Sequence, residues 1–386
     1  MQRQWVLPPV TDPLASGRLL RQLEIPSFLA ALLVHRGFTE PAEADGYLNP
    51  KLRSLGAPGL LPGIEAAAER VLAAVRSNER IVLYGDYDVD GVTSLAILSR
   101  VFRAFGADVE CFLPLRVEEG YGLSAAGLER CCATLHPQLL LAVDCGTTSV
   151  TEIAGLRDRG IDVVVLDHHE PGPTLPDCVS LVNPKCGDSL HYLCSAGVAF
   201  KLAHEMQKKS PVPGLDLRHF LDMVAMATIA DIVPLTGENR ILVRHGLEQM
   251  ARTRWPGIDA LMRVAGVTAP VRGSDVGFRL GPRINASGRL GPAQESLRLL
   301  LTDDPAEASR LAASLDQHNR ERQSVERAVS LEADEWIDEN FDPARDAAIV
   351  AGRRDWHVGV LGVVASLVMR RHHRPTFIIG FDESGA

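Results

Sequence analysis

Three aspartates, Asp86, Asp88 and Asp90, stand on alternate positions after a short apolar run, Ile81–Leu83. Gly91 and an apolar-periodic stretch follow, so the order reads as a buried strand, a tight turn and a helix start. Three carboxylates at one strand end repel each other, and a divalent cation, which takes oxygen ligands, is the simplest group to hold them together. An EF-hand loop also opens D-x-D-x-D-G, but its twelfth position needs Glu and here carries Ile97. A Walker phosphate loop needs a lysine that this stretch does not contain.

Further candidates lie downstream: Asp144 in Asp144-Cys145-Gly146-Thr147-Thr148, the run Asp167-His168-His169, and Asp231. Singly they have ordinary readings, as helix caps, a turn cap or a satisfied histidine pair. Together they offer carboxylate oxygen, one or two imidazoles and no thiolate, which suits Mn²⁺ or Mg²⁺ better than zinc or copper. Five or more such groups exceed what one ion needs. They fit two ions about 3.5–4 Å apart that share a carboxylate. Such a pair lowers the pKa of a bridging water and stabilises the oxygens of an in-line phosphoryl displacement, so the expected chemistry is phosphoester hydrolysis.

The elements that must position these groups follow from the hydrophobic pattern. Strands are expected over 81–84, 109–113, 138–143 and 161–166, with helices over 92–105, 124–134 and 149–158 between them. Continuous apolar strands alternating with helices predict an α/β fold with a parallel sheet, whose ligands sit at the carboxyl ends of the strands. Asp86, Asp144 and Asp167 fall there, and Asp231 ends a helical stretch over 217–230. Residues 1–63 read as an N-terminal helical accessory segment and 64–304 as the catalytic domain. Residues 305–342 read as a charge-rich, solvent-exposed connecting helix. Residues 343–386 hold one β-α-β unit, too little to bury a good core, and are expected to be the start of a second, smaller α/β domain.

The net charge of −9 argues against a protein coated in basic surface, yet 244–298 holds nine arginines against four acids. Arginine suits bidentate phosphate contact. Within this region, residues 277–292 interleave Arg279, Arg283, Asn285, Ser287 and Arg289 with Gly and Pro, and read as a loop presenting donors to phosphate. The seven cysteines lack C-x-x-C metal spacing, and no apolar run approaches the roughly 18 residues needed to span a membrane. A cytoplasmic protein without a membrane partner is expected.

The runs DYDVDG at 86–91, DCGTTS at 144–149 and DHH at 167–169, with the Asp231 motif, resemble the DHH phosphoesterase superfamily in order and spacing. Within it, EEGYGLS at 118–124, ENRILVRHGL at 238–247, GPRINASGRLGPA at 281–293 and LDQHNRERQ at 315–323 resemble the RecJ family of bacterial single-strand-specific 5′→3′ exodeoxyribonucleases. The resemblance implies that Asp88 binds one metal and Asp90 the other, that Asp144 bridges, and that His168 and Asp231 complete the second site. It also implies that His169 faces the scissile phosphate, that Asp167 orients its neighbour and that Asp86 supports the first site. Arg116, Arg283, Asn285, Ser287, Arg289, His357 and Gly359 would hold the strand. The implied substrate is single-stranded DNA in repair and recombination, with a helicase and a single-strand-binding protein as partners.

The chain departs from the family at three places. Tyr84 stands where relatives often carry a histidine, which puts the first metal in question, and Val358 and Leu367 replace a proline and an arginine of the second-domain motif, with Arg370 or Arg371 as stand-ins. Family members also continue beyond this point through the rest of the second domain and an oligonucleotide-binding fold. The competing enzyme reading is a DHH phosphodiesterase for short oligonucleotides or cyclic dinucleotides. A non-catalytic relative would lack the ligands, and here they are present.

Overall fold

The computed structural model describes residues 12–115, 119–120, 122–290 and 293–381. Strands Ile81–Gly85 (β1), Glu110–Phe112 (β2), Leu139–Val143 (β3), Asp162–Leu166 (β4) and Ser180–Val182 (β5) form a parallel sheet in the order β2-β1-β3-β4-β5. Both faces are covered. Ile81, Leu83, Leu139, Leu141 and Val143 point into a large core shared with helices Ile64–Arg76, Val89–Ala104, Ser195–Lys209 and Leu221–Ala230. Val82, Tyr84, Leu140 and Ala142 point into a smaller core under helices Ala125–Leu135 and Val150–Asp158. This two-sided burial is why the strands read as unbroken apolar runs.

Register does the positioning. Gly85 lies opposite Val143, and Val143 opposite Leu166. The next residue of each strand, Asp86, Asp144 and Asp167, therefore leaves the sheet at one common edge. The chain passes from β1 outward to β2 and then back to β3 on the other side, so this edge is also the switch point of the sheet.

Four details differ from the sequence expectation. The helix after β1 begins at Val89 rather than 92, with Asp88 as its N-cap. The short strand β5 and helix Ser195–Lys209 had no expectation attached. The expected donor loop is helical, with Val276–Leu280 as a wide π turn running into helix Gly281–Leu290. Helix Pro305–Asn340 exists as one continuous element but is not a solvated linker. Its first half buries Ala308, Leu311, Ala312 and Leu315 in the main core, and its second half buries Val329, Ala333 and Ile337 in another.

That other core belongs to a small second lobe, in which Ile349–Arg354 (β6) and Thr376–Phe381 (β7) pair in parallel around helix Val358–His372. At the other end, helices Pro13–Leu23, Ser27–His35 and Pro41–Leu48 share a core of their own. The segment that follows them is tied to the sheet domain by Lys201. Its buried ammonium reaches Glu238 at 2.6 Å and the Gly56 carbonyl at 2.7 Å. Among the described residues no helix is long and apolar enough to cross a membrane.

Candidate metal centre

The turn after β1 is built for close approach. A Cβ at Gly91 would lie 2.3 Å from the Asp86 carbonyl oxygen, so only glycine lets the helix start there. Asp88 accepts the Gly91 N–H at 3.0 Å and caps the helix, which puts Asp90 in its first turn, almost fully buried. Both oxygens of Asp90 are taken up by the start of helix Ser195–Lys209, Oδ2 by the Ser195 N–H at 2.7 Å and Oδ1 by the Ala196 N–H at 2.8 Å. Asp144 leaves β3 with a left-handed φ of 62° and accepts the Ser195 hydroxyl on Oδ1 at 2.9 Å. His168 Nε2 sits among the acids, 3.4 Å from Asp144 Oδ1 and 3.6 Å from oxygens of Asp90 and Asp231.

The electrostatics show what this cluster lacks. Burial, then the charges of Asp88 and Asp231, push the Asp90 carboxyl up to about 8. Burial and the charges of Asp90, Asp88, Asp86 and Asp167 push Asp144 well above the carboxylate range. Asp231 rises to about 6, mainly through burial and then through Asp88. Burial takes His168 down to about 4, so its imidazole is neutral, the form that binds a metal. A cluster of acids that ionises only against its own repulsion, around a neutral imidazole, fits a divalent cation. Two sets of ligand atoms come together, Asp90, His168 and Asp231, and Asp144, His168 and His169.

Beside this cluster Asp167 forms a satisfied hub. Its Oδ1 accepts from the N–H of His168 at 2.7 Å and of His169 at 3.2 Å, and pairs with His169 Nδ1 at 2.7 Å. Its Oδ2 accepts from the Thr147 N–H at 2.9 Å. Burial opposes ionisation, but the bonds to His169 and Thr147 together hold Asp167 below the usual carboxylate range. The same pair raises His169, whose side chain is half exposed and faces solvent. Asn183 braces the arrangement by donating to Thr147 Oγ1 and to the His169 carbonyl, both at 2.9 Å.

The expected strand-holding residues divide. Asn285 accepts the Val89 N–H at 3.0 Å, so it fastens the turn between Asp88 and Asp90. Arg283 is spent on Asp316 of the long helix, at 2.8 and 2.9 Å, and on the Arg279 carbonyl at 2.6 Å. Ser287 is buried against Ser296 and the Ile284 carbonyl, so the reading of it as a donor facing substrate is corrected: the helical backbone turns it inward. His357 caps its own helix through Nδ1 and the Gly359 N–H at 3.0 Å, in the second lobe. The Arg289 side chain and all of Arg116 lie outside the described residues. Tyr84 stacks on Phe112 and donates to the Gly122 carbonyl at 3.0 Å within the smaller core. A cleft of about 170 Å³ opens beside Ala230, the neighbour of Asp231, walled by Asn285 and Gly281 from one lobe, Val363 from the other and Arg322 of the long helix.

Sequence reasoning missed Ser195, Thr147 and Asn183, which touch the clustered acids or their supports. The one signal for Ser195 was a helical pattern opening after Cys194 with no good local N-cap, which leaves the first N–H groups for a distant partner.

Residues 80–228 match the model of the DHH family, N-terminal domain. Over 369 residues the chain is 38% identical to the single-stranded-DNA-specific exonuclease RecJ of Bacillus subtilis, covering 95% of this chain and 46% of that protein. A crystal structure of exonuclease RecJ bound to manganese superposes with a TM-score of 0.77 at 38% identity, covering 86% of this chain and 82% of that one. The chain belongs to the RecJ family. RecJ of Thermus thermophilus in complex with Mn²⁺ aligns with a TM-score of 0.82 at 37% identity, over 96% of this chain and 53% of that one. This RecJ-family chain thus spans about half the length of the first curated relatives it matches. The acids and imidazoles of its sheet edge come from the part that matches the DHH family, apart from Asp231, which lies just beyond it.

Proposed function

We propose that this chain hydrolyses single-stranded DNA from the 5′ end to nucleoside 5′-monophosphates with two Mn²⁺ or Mg²⁺ ions, in DNA repair and recombination. The observation that carries the reading is the Asp90–Asp144–His168–Asp231 cluster, buried but for Asp231, in a chain whose relatives are named single-stranded-DNA-specific exonucleases. Asp88, Asp90, Asp144, His168 and Asp231 would hold the ions. When bound, they supply Lewis acidity at the phosphoryl oxygens and lower the pKa of the attacking water.

The remaining steps belong to side chains of the chain. Asp167 holds the Nδ1–H of His169, which fixes the ring and leaves Nε2 to donate to a phosphate oxygen as charge builds there. Asp86 supports the turn by accepting the Tyr87 N–H at 2.7 Å. Asn285 and Arg283 hold the helix that walls the cleft, and Arg322, itself paired with Glu326 and Asn319, lines it. Arg116, Arg289 and the His357–Gly359 start of the second-lobe helix are proposed as further backbone contacts. Single-strand selectivity would come from a cleft too narrow for a duplex and from base stacking. Such an enzyme works with a helicase that frees a 5′ strand and with a single-strand-binding protein. Seven free thiols fit a reducing cytoplasm.

The test is digestion of 5′-labelled single-stranded DNA, the same sequence as a blunt duplex, a dinucleotide and a cyclic dinucleotide, each with Mn²⁺. Mononucleotides released from the long single strand alone or first support the reading. Cleavage restricted to the dinucleotide or the cyclic dinucleotide makes it wrong.

A further inference from the structure

We propose that Ser195 is a positioning residue of the metal centre, setting the separation and aim of two of its carboxylates at once. The proposal rests on the metal reading above. Ser195 is fully buried at the first position of helix Ser195–Lys209. Its N–H donates to Asp90 Oδ2 at 2.7 Å, and its hydroxyl donates to Asp144 Oδ1 at 2.9 Å. These same two oxygens lie 3.6 and 3.4 Å from His168 Nε2. One lone pair of each is therefore committed to Ser195, and the others face the shared space around the imidazole.

The two donors act differently. Backbone N–H groups of Ser195 and Ala196 would otherwise be orphans at a helix start, so Asp90 is anchored whatever side chain stands at 195. Asp144 instead takes its hydrogen bond from the hydroxyl, a group that a substitution can remove. Removing it frees Asp144 to rotate while leaving Asp90 in place. Hydrogen-bonded supports of this kind are typically worth roughly 10–100-fold in metal affinity.

The experiment compares Ser195→Ala, Ser195→Cys and Ser195→Thr with the unaltered chain. Mn²⁺ binding is followed by electron paramagnetic resonance, and metal-free folding by circular dichroism. Ser296→Ala, which loses an equally buried hydroxyl that touches no ligand, is the control. The expected result is a Mn²⁺ dissociation constant raised about tenfold or more by Ala, less by the weakly donating Cys, and least by Thr, with Ser296→Ala unchanged. A folded Ala or Cys variant that binds Mn²⁺ as the unaltered chain does overturns the proposal, and Cys decides if Ala does not fold. A loss shared equally by Ser296→Ala also overturns it, since that marks a general packing effect. Failure of the unaltered chain to bind Mn²⁺ sinks the metal reading itself, an outcome distinct from equal binding by all variants.

Discussion

Two carboxylates at this sheet edge are equally buried and behave in opposite ways. Asp90 accepts two backbone N–H bonds, yet its carboxyl is pushed up to about 8. Asp167 accepts three backbone N–H bonds and pairs with His169, and it is held below the usual range. Burial is common to both, so it does not decide the outcome. Company does: Asp90 faces Asp88 and Asp231, whereas Asp167 faces an imidazole. The first region is complete only with a cation, and the second carries its own counter-charge.

The largest expected effects come from neutralising one acid in each region. Asp144→Asn should abolish the proposed Mn²⁺-dependent nuclease activity and yet raise the stability of metal-free protein, by roughly 1–2 kcal/mol, because it removes a carboxyl that must take up a proton to be buried among acids while keeping an acceptor for Ser195. Asp167→Asn should do the reverse to stability. It strips the counter-charge from the half-exposed His169 and weakens bonds to Thr147 and His168, at a cost of roughly 1–3 kcal/mol. Activity should fall as well, since His169 is no longer held. Urea unfolding of both variants without metal decides the matter. Destabilisation of the same size in both would break the comparison.

How much of this was readable beforehand depends on the kind of information. The acids and imidazoles that the structure brings together were legible because a strand end followed by acids is a local pattern, and the parallel sheet was legible because two-sided burial leaves unbroken apolar runs in β1 and β3. Ser195 was not legible, because its bond to Asp90 spans 105 residues and its helix carries no local cap. The helix over 281–290 was misread for a related reason. Gly281, Pro282 and Gly288 look like loop punctuation, but Gly288 faces Tyr87 so closely that a Cβ would lie 3.0 Å from its ring. Packing demanded the glycine and overrode its low helix propensity. Ser287 was read as a donor to substrate, and Arg283 with it, because charge and hydroxyl content cannot tell that role from a bond to Ser296 or Asp316.

A third buried acid sharpens the comparison. Asp222 lies away from the ligands and is raised to about 7, chiefly by burial, against the bond from the Thr253 hydroxyl at 2.7 Å. A folded-state value above the unfolded one means the native protein holds a proton that the unfolded chain releases from about pH 4 upward. Stability should therefore fall as pH rises between about 4 and 7 and level off above, by on the order of a few kcal/mol. Asp222→Asn should flatten that slope. Saturating Mn²⁺ should not, because no ligand set among the described residues includes Asp222. Unfolding measured at pH 5 and pH 7.5, with and without Mn²⁺, gives the answer. Loss of the Asp222-dependent slope on adding Mn²⁺ would mean that the acid is coupled to the centre after all.

The smallest effect is expected at Tyr84, and it tests where the boundary of the metal region lies. A family resemblance makes this position suspect for the first metal, since relatives often place a histidine there. The structure gives the tyrosine a different employment: its ring stacks on Phe112 with centroids 5.0 Å apart, and its hydroxyl donates to the Gly122 carbonyl. Strand alternation sends Tyr84 into the smaller core, while its neighbour Leu83 enters the larger one. Tyr84→Phe should then cost about 1 kcal/mol, the worth of one hydrogen bond to a carbonyl left without its donor. Mn²⁺ affinity should stay within about twofold, a difference of less than about 0.5 kcal/mol. A large drop in Mn²⁺ affinity with little loss of stability would extend the metal region through the sheet to the loop that carries Gly122, and would make that loop, rather than the strand end alone, part of what a cation organises.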